Sequence, residues 1–451
     1  MRAPVSLESG RSIAGSDAVA AWPQDRWWTE YRDPALDALV DEALASSPSV
    51  AAAEARIRQA RGAAEVAGAA GLPQISGQGS AGFTKQSYNA GVPSNFVPRG
   101  WKSTGTLALS GDFDLDLWGK TRAALAAATS ERMAAEADAR QATLMLSTNV
   151  VSSYFDLARL LERDKALEAA LTARTSVADL SQQRYQQGVD NLTPVRQAQA
   201  AVASARIDIV ANREAIDLRR HALAALLGAG PDRGLGIAPA ALAGVAATPV
   251  PADAGIALSG RRPDIVAARL RAEAAGKRID SASAAFMPDI SLRGLIGLTS
   301  LGMSNLIDTG STYGNAGAAL SLPIFEGGRL RGQFTQARGG YDAAVADYNE
   351  TVLSALREVA DAISSRDSAA AQEVDARQAQ TDAAMAYDLA MQRYRGGLGN
   401  YLEVLSAQQS ALGAREAAID AKFRTLAREV ALKRALGGGF VEDQNEKASR
   451  S

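Results

Sequence analysis

Two stretches of this chain, residues 120–187 and 341–395, contain neither proline nor glycine. A helix over 122–186 would run ~98 Å at 1.5 Å per residue, beyond the diameter of an ordinary globular core. Each run ends at a glycine turn, Gln187-Gly188-Val189-Asp190-Asn191 in the first and Arg395-Gly396-Gly397-Leu398-Gly399-Asn400 in the second. A shorter helical stretch then leads to Gly228 or Gly437, so the spacing predicts two antiparallel helical hairpins. Alanine fills their small positions, which lets helix backbones approach closely and favours sheets or tubes of packed helices. A coiled-coil rod with ordinary seams is the alternative that periodicity leaves open.

The two hairpins belong to a longer repetition. Pro48 and Pro73 recur as Pro263 and Pro288, 215 residues on in both cases. Gln183-Arg184-Tyr185, Gly188, Asn191, Ala198-Gln199, Arg206 and Gly228 recur as Gln392-Arg393-Tyr394, Gly397, Asn400, Ala407-Gln408, Arg415 and Gly437, 209 residues on. Two copies of one unit are expected to stand around a pseudo-symmetry axis. The division that follows is an irregular segment over 1–32, a first repeat over 33–228, a linker over 229–258, a second repeat over 259–437 and a flexible tail over 438–451. The first repeat opens at Asp33-Pro34, a cap followed by proline in the first helical turn, and Pro48 interrupts that helix.

Between the helices the pattern changes from a period of 3.6 to a period of two. Residues 75–83 read as a small-residue strand; Leu107, Leu109, Phe113 and Leu115 share one face of the next. The second copy repeats this with Ile290, Leu292, Ile296 and Leu298, then Ala316, Ala318, Leu320 and Leu322. Each copy therefore contributes one hairpin of strands, the first with a loop six residues longer.

Composition removes several classes of function. The formal net charge is −2, with 48 basic residues interspersed among 50 acidic ones, which leaves no footprint for nucleic acid. There is no cysteine and one histidine, His221, so thiol chemistry, disulfides and zinc clusters are out and His221 reads as structural. No paired carboxylates converge with a nucleophile and no glycine-rich phosphate loop follows a strand; no catalytic residue, cofactor or metal ligand is expected. No run approaches the roughly 18 to 20 apolar residues of a transmembrane helix. Residues 1–6 lack the apolar core of a signal peptide, which fits either a cytosolic chain or a mature form given a new Met.

Four strands with one greasy face cannot close, and a bilayer tolerates no open strand edge. Membrane barrels begin at about eight strands, so a partner is required, and a trimer supplies twelve. The fold class expected is an α+β membrane protein: a trimeric 12-stranded β-barrel, four strands per chain, continuous with a long α-helical barrel and built on an internal two-fold repeat. A soluble four-stranded sheet capping a helical rod is the competing reading.

Several motifs, in order, carry a family resemblance: Asp33-Pro34-Ala35-Leu36-Asp37-Ala38-Leu39-Val40, Gly260-Arg261-Arg262-Pro263-Asp264-Ile265, Phe286-Met287-Pro288-Asp289-Ile290, Leu322-Pro323-Ile324-Phe325-Glu326-Gly327-Gly328-Arg329 and Ala435-Leu436-Gly437-Gly438-Gly439. Over about residues 27–440 the chain resembles the outer-membrane efflux proteins of the TolC and OprM type, in the lipoprotein branch that serves resistance-nodulation-division (RND) pumps. That resemblance implies a homotrimer in outer-membrane lipid of a Gram-negative bacterium, extending into the periplasm, with a periplasmic adaptor (membrane fusion protein) and an inner-membrane RND pump as partners. It implies a passive exit duct of a tripartite system exporting drugs or other toxic compounds; a type I protein-secretion duct and a non-transporting helical rod are the alternatives. In this branch the mature chain usually begins with a lipidated Cys, which this sequence lacks.

The resemblance also assigns sites. The glycine turns become the periplasmic tips, with Gly188, Val189, Leu192, Gly397, Leu398 and Tyr401 offered to the adaptor, the apolar ones as exposed contacts. The second hairpin becomes the periplasmic gate, with Leu402 at an apolar ring, Glu403 at an acidic position, and Tyr394 and Ser406 beside them. Ser406 stands where the family commonly has Asp, and Gly399 where TolC-like members carry Arg. Thr193-Pro194 in the first copy faces Leu402-Glu403 in the second, a break in symmetry that also points to the gate.

Overall fold

The computed structural model describes residues 12–13, 21–89, 91–93, 95–239, 250–251 and 253–442. The helices and strands follow in the order α1 (Pro34–Ser46), α2 (Pro48–Ala69), β1 (Gln74–Thr84), β2 (Lys102–Asp114), α3 (Lys120–Gln186), α4 (Leu192–Leu226), α5 (Asp232–Leu235), α6 (Ala254–Arg261), α7 (Pro263–Ala284), β3 (Asp289–Leu301), β4 (Thr312–Ser321), α8 (Arg329–Arg395) and α9 (Tyr401–Ala435). Corresponding helices match in length: α2 and α7 have 22 residues each, α3 and α8 have 67, α4 and α9 have 35. A 67-residue helix is ~100 Å long. Through its first turns α8 also contains Gly332, Gly339 and Gly340, so its start was hidden from a search for glycine-free sequence.

The chain forms two compact units, each assembled from separated segments. The first comprises the chain up to Ala55, Glu136–Ala267 and the chain from Asn349. Its core joins Trp27, Trp28 and Tyr31 to Leu36, Leu39, Val40 and Ala43 of α1, Val150, Val151, Tyr154, Phe155 and Leu157 of α3, Leu223 of α4, and Phe423, Leu426 and Val430 of α9. The ring of Tyr31 stands edge-on to Phe155 at 4.9 Å. Burying each such side chain contributes about 1.5–3 kcal/mol. Asp33 serves twice: Oδ1 accepts from the amides of Ala35 and Leu36 to cap α1, and Oδ2 accepts from the Tyr154 hydroxyl at 2.6 Å. Cap and core are thereby one hydrogen-bonded piece. After α4 and α9 the chain turns at Gly228 (φ +72°) and Gly437 (φ +90°). A Cβ there would lie 2.5 Å from the Ser46 carbonyl oxygen and 1.9 Å from that of Arg261, so only glycine fits either packing.

Three expected boundaries shift. The irregular segment over 1–32 ends in a 3-10 turn at Trp27–Tyr31, because the aromatic rings need a fixed backbone to reach the core. The linker over 229–258 carries α5 and part of α6, and Ile237 is buried in the core; residues 240–249 and 252 lie outside the described ones. The tail expected from 438 is docked at its start, since the Gly438 amide bonds Lys433 O and the Glu442 amide bonds Gly260 O. Residues 443–451, like 1–11 and 14–20, lie outside the described ones.

The second unit comprises Arg56–Ala135 and Ala268–Tyr348 and holds an antiparallel sheet in the order β1-β2-β3-β4. Each sequence copy supplies one hairpin, and β2 joins β3 in the register Leu107↔Leu298, Leu109↔Ile296 and Phe113↔Leu292. That register sorts the side chains. One face holds Ile75, Phe83, Leu107, Leu109, Phe113, Leu292, Ile296, Leu298 and Leu320. The other holds Ser76 and Ser110, whose hydroxyls bond at 2.8 Å, Thr106 and Thr299 at 3.3 Å, and the Arg293–Asp112 ion pair at 3.3 Å. Ile75, Phe83, Leu107, Leu109, Ile296 and Leu320 are exposed on the apolar face, and β1 and β4 each have one unpaired edge. Among the described residues no helix is long and apolar enough to cross a membrane.

Candidate functional site at the helical-hairpin tips

Both hairpins of the first unit close through one hydrogen-bond pattern. The Gly188 amide bonds Tyr185 O and the Val189 amide bonds Arg184 O; 209 residues on, Gly397 bonds Tyr394 O and Leu398 bonds Arg393 O. These are the paired bonds that satisfy the last carbonyls of a helix, and they require the left-handed backbone that Gly188 (φ +73°) and Gly397 (φ +74°) adopt. The returning helices are capped by asparagine. Asn191 accepts from the Thr193 amide at 2.9 Å, and Asn400 from the Glu403 amide at 3.0 Å. The Glu403 carboxylate also accepts from Asn400 Nδ2 at 3.1 Å, so this carboxylate is partly spent in a side-chain pair at the helix start.

Beneath the turns Val177, Ala198, Met391, Tyr394, Tyr401 and Val404 form a small apolar cluster. Across it runs a polar link between the hairpins. Arg184 Nε donates to Asp190 Oδ2 at 2.7 Å, the Tyr394 hydroxyl donates to the same oxygen at 3.1 Å, and Arg184 Nη1 donates to Tyr394 O at 3.2 Å. The guanidinium stands 4.7 Å from the centroid of the Tyr394 ring. The hydrogen bond from Arg184 holds the Asp190 carboxyl below the usual carboxylate range, while burial raises the Tyr394 phenol.

The site residues read from the sequence separate into three groups. Val189, Leu192 and Leu398 are exposed, Leu398 at 77%, beside the exposed Gly188 and Gly397. Leu402, Glu403 and Ser406 are exposed on one face of the start of α9, at spacings of three and four residues. Tyr394 and Tyr401 are buried and pack with ring centroids 6.4 Å apart. For Tyr401 this is a correction: at 4% exposure it is no surface contact, because the cluster from both hairpins closes over its ring. Arg184 and Asp190 were not singled out from the sequence. The signal was a difference between the repeats, since Asp190 corresponds to Gly399, the acid present in one copy only. Among the described residues no group of three or more His, Cys, Asp or Glu is placed to hold a metal.

The family model described as "Outer membrane efflux protein" matches residues 39–229 and 257–438. The chain is 38% identical over 341 residues to the fusaric acid resistance protein FusA of Burkholderia cepacia, which takes in 74% of this chain and 64% of that protein. It is 31% identical over 328 residues to the multidrug resistance outer membrane protein MdtP of Escherichia coli (strain K12), with 71% and 67% covered. The chain thus spans about two thirds of the length of these curated relatives. Among solved structures it is similar to the outer membrane protein VceC from Vibrio cholerae, with a TM-score of 0.87 and 41% identity over 93% of this chain and 100% of that one. With both halves matched by one family model, the chain belongs to the outer membrane efflux protein family.

Proposed function

We propose that the protein is one protomer of a homotrimeric exit duct in the outer membrane, through which a tripartite pump expels small toxic compounds. The observation that carries this reading is the sheet: two unpaired edges, at β1 and β4, and one exposed apolar face opposite a polar one. In lipid each unpaired backbone group costs several kcal/mol, so β4 of one copy pairs with β1 of the next and three copies close a barrel of twelve strands. The serine, threonine, aspartate and arginine face then lines water and the leucine and isoleucine face meets lipid. The equal lengths of corresponding helices support an internal two-fold repeat, in which six hairpins from three copies surround a tunnel. The names of FusA and MdtP, a fusaric acid resistance protein and a multidrug resistance protein, support drugs and organic acids as cargo. Transport is passive within the duct, and an inner-membrane pump and a periplasmic adaptor supply energy and continuity.

The tips are the proposed gate and docking end. Leu402, Glu403 and Ser406 form the constriction, with Tyr394 as a buried anchor that ties the second hairpin to Asp190 of the first. Gly188, Val189, Leu192, Gly397 and Leu398 meet the adaptor. The test is a mass measurement in detergent followed by planar-bilayer recording. A trimer is expected, with higher conductance for Leu402→Ser; a monodisperse monomer in plain buffer would overturn the duct, and unchanged conductance would remove Leu402 from the gate.

A further inference from the structure

The loops that lead from the sheet into the long helices end in the same kind of pair. After β2 comes Leu117-Trp118, followed by Gly119 and Lys120; after β4 comes Ile324-Phe325, followed by Glu326, Gly327, Gly328 and Arg329. All four apolar side chains are exposed, Ile324 at 90% and Phe325 at 89%. The loops adjoin, since Leu117, Trp118, Pro323 and Glu326 line one cavity of ≈ 150 Å³. They are also held in place: Trp118 Nε1 donates to Pro288 O at 2.7 Å, the Asp116 carboxylate accepts from the amides of Thr121 and Arg122, and Glu326 pairs with Arg329. The indole N–H is satisfied within the protein, so what Trp118 shows outward is carbon. A rigid loop that presents a phenyl ring and a sec-butyl group to the outside needs a covering.

Its place along the strands says what the covering is. The apolar face begins at the row of Phe83 and Ser103 and continues without a charged side chain through Leu107, Leu109, Phe113 and Leu115 of the second strand and its extension. A strand rising ~3.3 Å per residue at a tilt of ~40° advances about 2.5 Å per residue across the membrane, so an apolar band ~25 Å tall takes about ten residues. Ten residues from Ser103 reach Phe113. Leu117-Trp118 lies one turn of the pleat or two further on, at the boundary where hydrocarbon gives way to headgroups, and Ile324-Phe325 lies at the same level of the sheet. At the opposite end the exposed Phe83 and Trp101 mark the other boundary. Aromatic rings collect at such boundaries because one part of the residue is apolar and its backbone is wet. Charge agrees with this. The first turns of α3 and α8 carry Lys120, Arg122, Arg329 and Arg331 and no acid, a distribution opposed by the helix dipole and favoured beside phosphates.

We propose that Leu117-Trp118 and Ile324-Phe325 are a membrane-interface anchor that seats in the phospholipid leaflet at the helix-bearing end of the sheet. Acyl chains cover the apolar pairs, and headgroup phosphates meet the adjoining cations. With three copies, six such pairs form a girdle that fixes the height of the barrel in the bilayer. This rests on the barrel reading given above.

The chain has no cysteine, so one introduced cysteine gives one clean site for a nitroxide label. The label is placed at Phe325→Cys, at Ile324→Cys or, as the reference for the barrel, at Leu109→Cys, and the trimer is reconstituted in vesicles of phosphatidylethanolamine with a minority of phosphatidylglycerol. Collision with oxygen reports on the hydrocarbon and collision with a water-soluble nickel chelate reports on water. At Leu109 the oxygen-to-nickel ratio is expected to be the highest, and at 324 and 325 it is expected to lie between that value and the ratio of free label, severalfold above the latter. A free-label ratio at 325 with a high ratio at 109 overturns the anchor and leaves the barrel. Protection of 325 from both reagents also overturns it, because a second copy of the chain is then the covering. Aqueous ratios at both positions overturn barrel and anchor together.

Discussion

The turn after α3 and the turn after α8 have the same backbone and are secured by different chemistry. Their hydrogen bonds correspond one for one at an offset of 209, down to the glycine near φ +73° and the asparagine cap. In the first turn the arginine that follows from the repeat, Arg184, closes on Asp190 at 2.7 Å. In the second its counterpart Arg393 has Gly399 in place of that acid and reaches only the Leu398 carbonyl at 3.3 Å. The tyrosines reverse this: Tyr394 is buried in the cluster, and its counterpart Tyr185 is exposed. The first turn holds its shape by charge and the second by an aromatic ring, and the two devices meet because Tyr394 donates to Asp190. A duplicated hairpin can therefore specialise without changing its main chain, by giving the acid to one copy and the buried ring to the other.

The largest break in this comparison is expected from Tyr394→Ala. It empties a ring-sized space, leaves Asp190 with one side-chain donor fewer and removes the surface on which Arg184 stacks. Large aromatic deletions cost about 3–5 kcal/mol, and here the loss falls on the tip alone. Hydrogen exchange of amides in residues 184–195 and 393–404 of the detergent-solubilised protein should accelerate by about two orders of magnitude or more, since each ~1.4 kcal/mol is tenfold. Exchange at the wild-type rate would show that the ring is not what fastens the second turn.

Next comes the charged half. Arg184→Ala removes a hydrogen bond between ions, worth about 1.5–3 kcal/mol, whereas Arg393→Ala should leave exchange unchanged. Equal effects from the two would dissolve the distinction between the turns. The same contact fixes a pH dependence. Because the folded Asp190 carboxyl lies below its unfolded range, its contribution is fully present above the unfolded value and is lost as pH falls through the folded one. Tip protection should hold at pH 5 and fall in more acid solution, below the usual carboxylate range, with Asp190→Asn flat through that interval.

Most of the architecture could be read in advance because it rests on local rules. Proline at 34, 48, 263 and 288 and glycine at 188, 228, 397 and 437 restrict φ directly, so each marks an element end wherever the rest of the chain goes. Strand faces were legible for the same reason, since alternation at Leu107, Leu109 and Phe113 needs no partner to be seen. Tyr401 was not legible. A tyrosine one residue past a helix cap reads as exposed, and only the approach of Val177 and Ala198 from the other hairpin, some 200 residues away, buries it. Asp190 was hidden differently: its partner Arg184 lies six residues off across a turn, a spacing that neither helix nor strand periodicity flags. What sequence periodicity misses is contact across a turn or between hairpins, and both residues of the link fall there.

The smallest expected effect tests the half of the comparison that is a likeness. Gly188 and Gly397 have φ of +73° and +74°, and a Cβ at either would meet no atom within 4 Å. Alanine at these positions therefore clashes with nothing, and its whole cost is the left-handed backbone, about 1 kcal/mol or slightly more. If the two turns are one main-chain device, Gly188→Ala and Gly397→Ala should speed amide exchange in their own turns by the same factor, near tenfold. A larger effect at 397 would mean that the aromatic cluster beneath it depends on the exact path of the turn. A larger effect at 188 would mean the same for the Arg184–Asp190 pair, whose two partners are joined by that glycine. Either inequality would show that the side-chain specialisation has spread into the backbone, and equality would confine it to Asp190 and Tyr394.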